Sequence, residues 1–135
     1  MYKQAFLEGF IEKLARNSAE IKIRKAAKDF NWKKTKIDRP KGYKHKGGFV
    51  YPTDYGYMTN LDAVGDGEGY DFFVLPGEKL GPKSRVLGGF YTKEGEPKLI
   101  VGKERDDNKI KDIIQFSEYM HLKFGKKHKP RFVSV

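Results

Sequence analysis

The chain has no cysteine, one tryptophan and six prolines in 135 residues. It also lacks any apolar run near the roughly 18 residues that a membrane-crossing helix requires. Each absence removes a class of protein. Without thiols the fold cannot rest on disulfides and no thiolate metal centre can form, so stability must come from a buried core. A chain of 135 residues is long enough for one. The opening Met1-Tyr2-Lys3-Gln4 starts an amphipathic segment rather than a continuously apolar one, so neither a secretory leader nor a membrane association is expected and the chain reads as cytoplasmic.

Acidic residues are scarce at one end. Residues 1–47 carry 14 Lys/Arg against 5 Asp/Glu, a net of +9, whereas residues 48–135 carry 14 against 13, a net of +1. A basic N-terminal third attracts polyanions, whether nucleic acid, anionic lipid or phosphorylated small molecules, without choosing among them.

Periodicity sets out the architecture. Phe6, Leu7, Phe10, Ile11 and Leu14 share one face of a helix over residues 4–16. Asn17-Ser18 then interrupts the pattern and would cap a second helix bearing Ile21, Ile23, Ala26, Ala27 and Phe30. This front segment is expected to pack or to self-associate, making a homo-oligomer. From Trp32 onward short β-rich runs alternate with Gly and Pro, at residues 32–37, 49–51, 55–59, 70–75, 85–91 and 97–101. Residues 106–124 return to helical spacing through Ile110, Ile113, Ile114, Phe116, Tyr119, Met120 and Phe124, and residues 131–135 supply an edge strand. The expected class is α+β, mainly β: a small OB-like barrel over residues 32–135 with flanking helices, preceded by a helical extension over residues 1–31.

The densest chemistry lies in Asp66-Gly67-Glu68-Gly69-Tyr70-Asp71, three carboxylates in six residues with two interleaved glycines. Two carboxylates about 4 Å apart repel by roughly 4 kcal/mol at an effective dielectric near 20, so a divalent cation would offset their gathering. Hard oxygen donors favour Mg²⁺, or Mn²⁺, over Zn²⁺. The same hexapeptide is also ordinary turn chemistry. Upstream, Lys34 to Lys46 concentrates cations, Arg39 and Lys44 among them, ahead of Tyr51-Pro52-Thr53-Asp54-Tyr55-Gly56-Tyr57. Cations grip phosphate oxygens and tyrosine hydroxyls can donate to an oxyanion, although a solvated basic loop followed by aromatic core residues has the same composition. Glu96 and Lys98, two apart on a strand, point to one face. His45, His121 and His128 read as surface residues.

Taken in order, these segments resemble the soluble, Mg²⁺-dependent family I inorganic pyrophosphatases, in a short divergent branch. The resemblance spans residues 32–124: a Lys-bearing strand at Lys34, Tyr-Pro-x-x-Tyr-Gly-Tyr at Tyr51 to Tyr57, the Asp66/Glu68/Asp71 group, Glu96-x-Lys98, and a helix bearing Tyr119. It implies hydrolysis of pyrophosphate to two orthophosphates by metal-activated water. Asp66, Asp71, Glu96 and Glu68 would face the metal, with Asp71 bridging two ions and Glu68 orienting or deprotonating water. Lys34 and Lys98 would hold phosphate oxygens, and Arg39 or Lys44 would replace the family's arginine. Tyr55 would stand beside the nucleophile and Tyr119 would donate to the leaving phosphate. Three departures imply weakened activity. Glu68 stands where the family usually has Asp, Thr92-Lys93 occupies the place of a further carboxylate, and Lys34-x-Lys36 stands where the family has a Lys-x-Glu pair. A nucleotide or other phosphoanhydride is the alternative substrate, and a non-catalytic basic barrel binding nucleic acid or protein is the alternative class.

Overall fold

A computed structural model describes residues 2–62 and 69–135. Elements follow in the order α1 (Tyr2–Asp29), a short 3-10 turn (Trp32–Lys34), β1 (Thr35–Arg39), β2 (Tyr55–Asp62), β3 (Gly69–Val74), β4 (Arg85–Tyr91), β5 (Pro97–Gly102), α2 (Asp107–Lys123) and β6 (Val133–Ser134). The class is α+β, built on one six-stranded mixed sheet of order β1-β2-β3-β5-β4-β6. That order runs from β1 at one edge to β6 at the other, so among the described residues the sheet is open rather than closed into the expected barrel. Apolar periodicity marks strands but does not say which strands pair, and closure depends on pairing.

β5 lies between β3, to which it is parallel, and β4, to which it is antiparallel. All of its residues are buried, which explains the unbroken Leu99-Ile100-Val101 run: a strand covered on both faces gains nothing from alternation. Along β3 alternate side chains enter two cores. Phe73 joins Tyr51, Tyr55, Phe90, Ile100 and Ile113 of α2. Phe72 and Val74 join Leu99, Val101 and the α1 residues Ile23 and Ala26. The two helices therefore cover opposite faces of the sheet, and the second half of α1 shares a core with the strands.

α1 runs unbroken through Asn17-Ser18, contrary to the two helices expected. Asn and Ser disfavour a helix interior by well under about 1 kcal/mol each. Burying Ala19, Ile23 and Ala26 completely on the sheet outweighs that bias, because an Ile side chain alone contributes roughly 1.5–3 kcal/mol. Ile21, expected among the packed residues, is 67% exposed. The run at residues 49–51 forms no strand; only an isolated bridge joins Lys44 to Val50. α2 starts where its sequence says it should: Asp106 accepts hydrogen bonds from the backbone N–H groups of Asn108 and Lys109, both at 3.1 Å, and Gly125 at φ 73° ends it.

Candidate functional site

Tyr55 opens β2, Asp71 lies in β3, and Glu96 and Lys98 flank the start of β5. Parallel pairing sets Asp71 directly beside Lys98, and antiparallel pairing sets Tyr55 beside Phe73, two residues beyond Asp71. Residues 71, 73, 98 and 100 thus project to the face covered by α2. There the Lys98 ammonium donates to Asp71 Oδ2 at 2.8 Å, to the Tyr55 hydroxyl at 2.9 Å and to Glu96 Oε1 at 3.2 Å. The Tyr55 hydroxyl in turn donates to the same Asp71 Oδ2 at 2.6 Å.

Burial makes this arrangement demanding. Side-chain exposure is 10% for Lys98, 26% for Asp71 and 43% for Glu96. Burial by itself would lower the Lys98 pKa, but a Tyr55 phenolate and the Asp71 and Glu96 carboxylates outweigh it and hold the group above the ordinary lysine value. Burial, Asp71 and the hydrogen bond to Asp71 push Tyr55 above the usual phenol range despite Lys98. Tyr55 is therefore neutral at physiological pH, and the two carboxylates supply the charge that keeps Lys98 protonated. A second cation borders the group. Arg39 donates to the Tyr51 hydroxyl at 2.5 Å and lies 5.5 Å from the Tyr51 ring centroid and 5.7 Å from that of Tyr55.

Of the residues expected to act together, Tyr55, Asp71, Glu96 and Lys98 meet, and Arg39 adjoins them across two aromatic rings. Lys34 and Lys44 are exposed, and among the described residues no hydrogen bond joins either side chain to the cluster. Tyr119 is 51% exposed, with the Lys123 ammonium 5.1 Å from its ring centroid. Asp66 and Glu68 lie outside the described residues. Among the described residues no three acidic or imidazole side chains converge as a cation cage. The carboxylate oxygens of Asp71 and Glu96 are nevertheless hard donors with partial solvent access, the chemistry that suits Mg²⁺ or Mn²⁺.

Thr92, at a position where the resemblance implied a carboxylate, is buried and shapes the turn into β5. Its hydroxyl accepts from the Glu96 N–H at 3.1 Å and its own N–H donates to the Glu96 carbonyl at 2.9 Å. It thereby fixes the backbone that carries Glu96.

The sequence places His121 on the surface, yet its Nε2 is buried with no hydrogen-bond partner among the described residues, as is Ser117 Oγ one helical turn before it. Burial, then the Lys98 charge, lowers the His121 pKa below its ordinary 6.5. The signal was in the sequence: Ile110, Ile113 and Ser117 continue the buried stripe of α2, and His121 follows Ser117 at i+4.

No family model matches the chain, and no curated protein sequence matches it.

Proposed function

We propose that the chain is a divalent-cation-dependent phosphoanhydride hydrolase whose preferred substrate is inorganic pyrophosphate. One observation carries this reading. Four residues singled out for that chemistry, separated by as many as 43 positions, are joined by hydrogen bonds of 2.6–3.2 Å. Asp66 and Glu68, close before Asp71 in the sequence, would complete the acidic set.

Asp71 and Glu96, with Asp66 and Glu68, would hold Mg²⁺, or Mn²⁺ in its place. When bound, such an ion withdraws charge from phosphoryl oxygens and acidifies water. Lys98, its three N–H groups held by Asp71, Tyr55 and Glu96, supplies positive charge beside the phosphate, Tyr55 orients Asp71 through its hydroxyl, and Arg39 adds positive potential beside the Tyr55 ring. Glu68 accepts the proton as water attacks phosphorus and the bridging P–O bond breaks, releasing two orthophosphates. Lys34 and Lys44 extend the positive field outward and steer the anion. Tyr119 belongs to the proposal as donor to the leaving phosphate. A cytoplasmic setting belongs to the same proposal; among the described residues no helix is long and apolar enough to cross a membrane.

The test is orthophosphate release measured across pyrophosphate, tripolyphosphate and nucleoside triphosphates over a Mg²⁺ titration. Release from pyrophosphate that requires the metal and exceeds release from nucleotides supports the proposal. Preference for nucleotides moves the substrate to the alternative phosphoanhydride class, and salt-sensitive binding of nucleic acid without any hydrolysis replaces the enzyme with a binding protein.

A further inference from the structure

α1 is apolar on two opposite sides, and the sheet uses only one of them. Successive helical residues rotate by about 100°, so residues two apart face nearly opposite ways. Ala19 and Ile23 are fully buried against the sheet, whereas Ile21 between them is 67% exposed. The exposed side continues toward the N-terminus through Leu14 at 52%, Ile11 at 62%, Phe10 at 51% and Leu7 at 55%. Five large apolar side chains, each more than half exposed, line up along this side, and an apolar stripe left open to water marks an association surface.

The spacing of that stripe specifies what covers it. Leu7, Leu14 and Ile21 recur every seven residues, with Phe10 and Asn17 three residues after the first two. These are the a and d positions of a heptad repeat, whose seam fits a second helix of the same kind. With Leu7, Leu14 and Ile21 at a, Asn17 is the polar residue at d between Leu14 and Ile21, Arg24 takes the next d, and Glu20 and Lys25 take the flanking g and e positions. A parallel pair in register sets Asn17 against Asn17, where the two amides bond each other, and sets Glu20 of each copy beside Lys25 of the other. Among the described residues neither Glu20 nor Lys25 has an ion-pair partner within the chain.

We infer that the exposed face of α1 is a docking surface for a second copy of this chain, the two helices pairing in parallel through Leu7, Phe10, Leu14, Asn17 and Ile21. The opposite face of each helix stays on its own sheet, so the contact joins two complete folds rather than exchanging parts between them.

Sedimentation of the full chain across a dilution series tests the pairing, and cross-linking tests its direction. The wild type is expected to approach twice its 15.6 kDa chain mass, and Leu14→Glu to sediment at 15.6 kDa with an unchanged far-UV circular dichroism spectrum. Because the chain has no cysteine, Asn17→Cys introduces its only thiol. In a parallel pair that thiol meets its own copy and forms a covalent dimer on mild oxidation, whereas Glu12→Cys, off the seam, does not. Glu20→Lys weakens the pair, and adding Lys25→Glu restores it. A single-chain mass at every concentration, a dimer that survives Leu14→Glu, or failure of Asn17→Cys to cross-link overturns the inference. So does a monomer that pellets with anionic vesicles in a Leu14-dependent way, which would assign the face to a lipid surface.

Discussion

At Lys98 an ammonium group only 10% exposed is held by two carboxylates and a phenol. Removing it leaves the Asp71 charge with Tyr55 as its remaining donor in the cluster. Lys98→Met is therefore expected to destabilise the fold by about 2–3 kcal/mol, below the full cost of an orphaned buried charge because Asp71 keeps some solvent. The urea midpoint measures this. Since the folded-state Lys98 pKa is raised, its contribution is complete below the ordinary lysine range and fades only as pH climbs through the higher folded value.

His121 behaves in the opposite sense. Its folded pKa is lowered, so the unfolded chain takes up the proton first as pH falls below 6.5, and stability drops in that window until the folded imidazole is also protonated. His121→Gln is expected to flatten the part of the stability loss that develops between about pH 8 and pH 5. Urea midpoints of the two proteins across that range provide the check; parallel curves would remove His121 from the electrostatics of the site.

Single elements differ in how openly the sequence declares them. The bounds of β4 at Arg85 and Tyr91 are legible, since Pro82, Lys83 and Ser84 precede an apolar run that stops before charged residues. α2 was nearly as clear because Asp106 offers a cap and the apolar positions repeat helically. Asn17-Ser18 locally favours a cap and so predicts two helices, and only the burial of Ala19, Ile23 and Ala26 where α1 packs on β4 and β5 decides for one. Of the cluster, Tyr55, Asp71, Glu96 and Lys98 stand out from residue type and order, whereas the tie between Arg39 and Tyr51 depends on packing that no linear spacing reveals, and the burial of His121 shows only in the helical stripe that runs through Ile110, Ile113 and Ser117. Gly56 shows how tightly two elements fit. A Cβ there would lie 2.9 Å from the Lys36 carbonyl carbon, between β1 and β2. Gly56→Ala must push those strands apart, at an expected loss of about 3 kcal/mol in chemical denaturation. An unchanged midpoint would show that β1 yields without strain.

Across the whole molecule, a basic front third is joined to a sheet whose two faces are capped by different helices. The face beneath α2 carries the ionisable cluster, and the face beneath α1 packs Ile23 and Ala26 against Phe72, Val74, Leu99 and Val101. That separation lets one side provide polar chemistry while the other anchors a helix whose outer stripe is free to meet a second copy. The net charge of +10 favours approach of a small, highly charged anion at low ionic strength.

The most direct measurement compares the initial rate of orthophosphate release from pyrophosphate, at saturating Mg²⁺, for wild type and Asp71→Asn, with thermal unfolding recorded for both. The wild type should release orthophosphate only when the metal is present, and Asp71→Asn should remain folded while losing on the order of 100-fold or more in rate. A wild-type chain that leaves pyrophosphate intact at every Mg²⁺ concentration, or an Asp71→Asn variant as fast as its parent, would contradict the assignment of this cluster to phosphoanhydride hydrolysis.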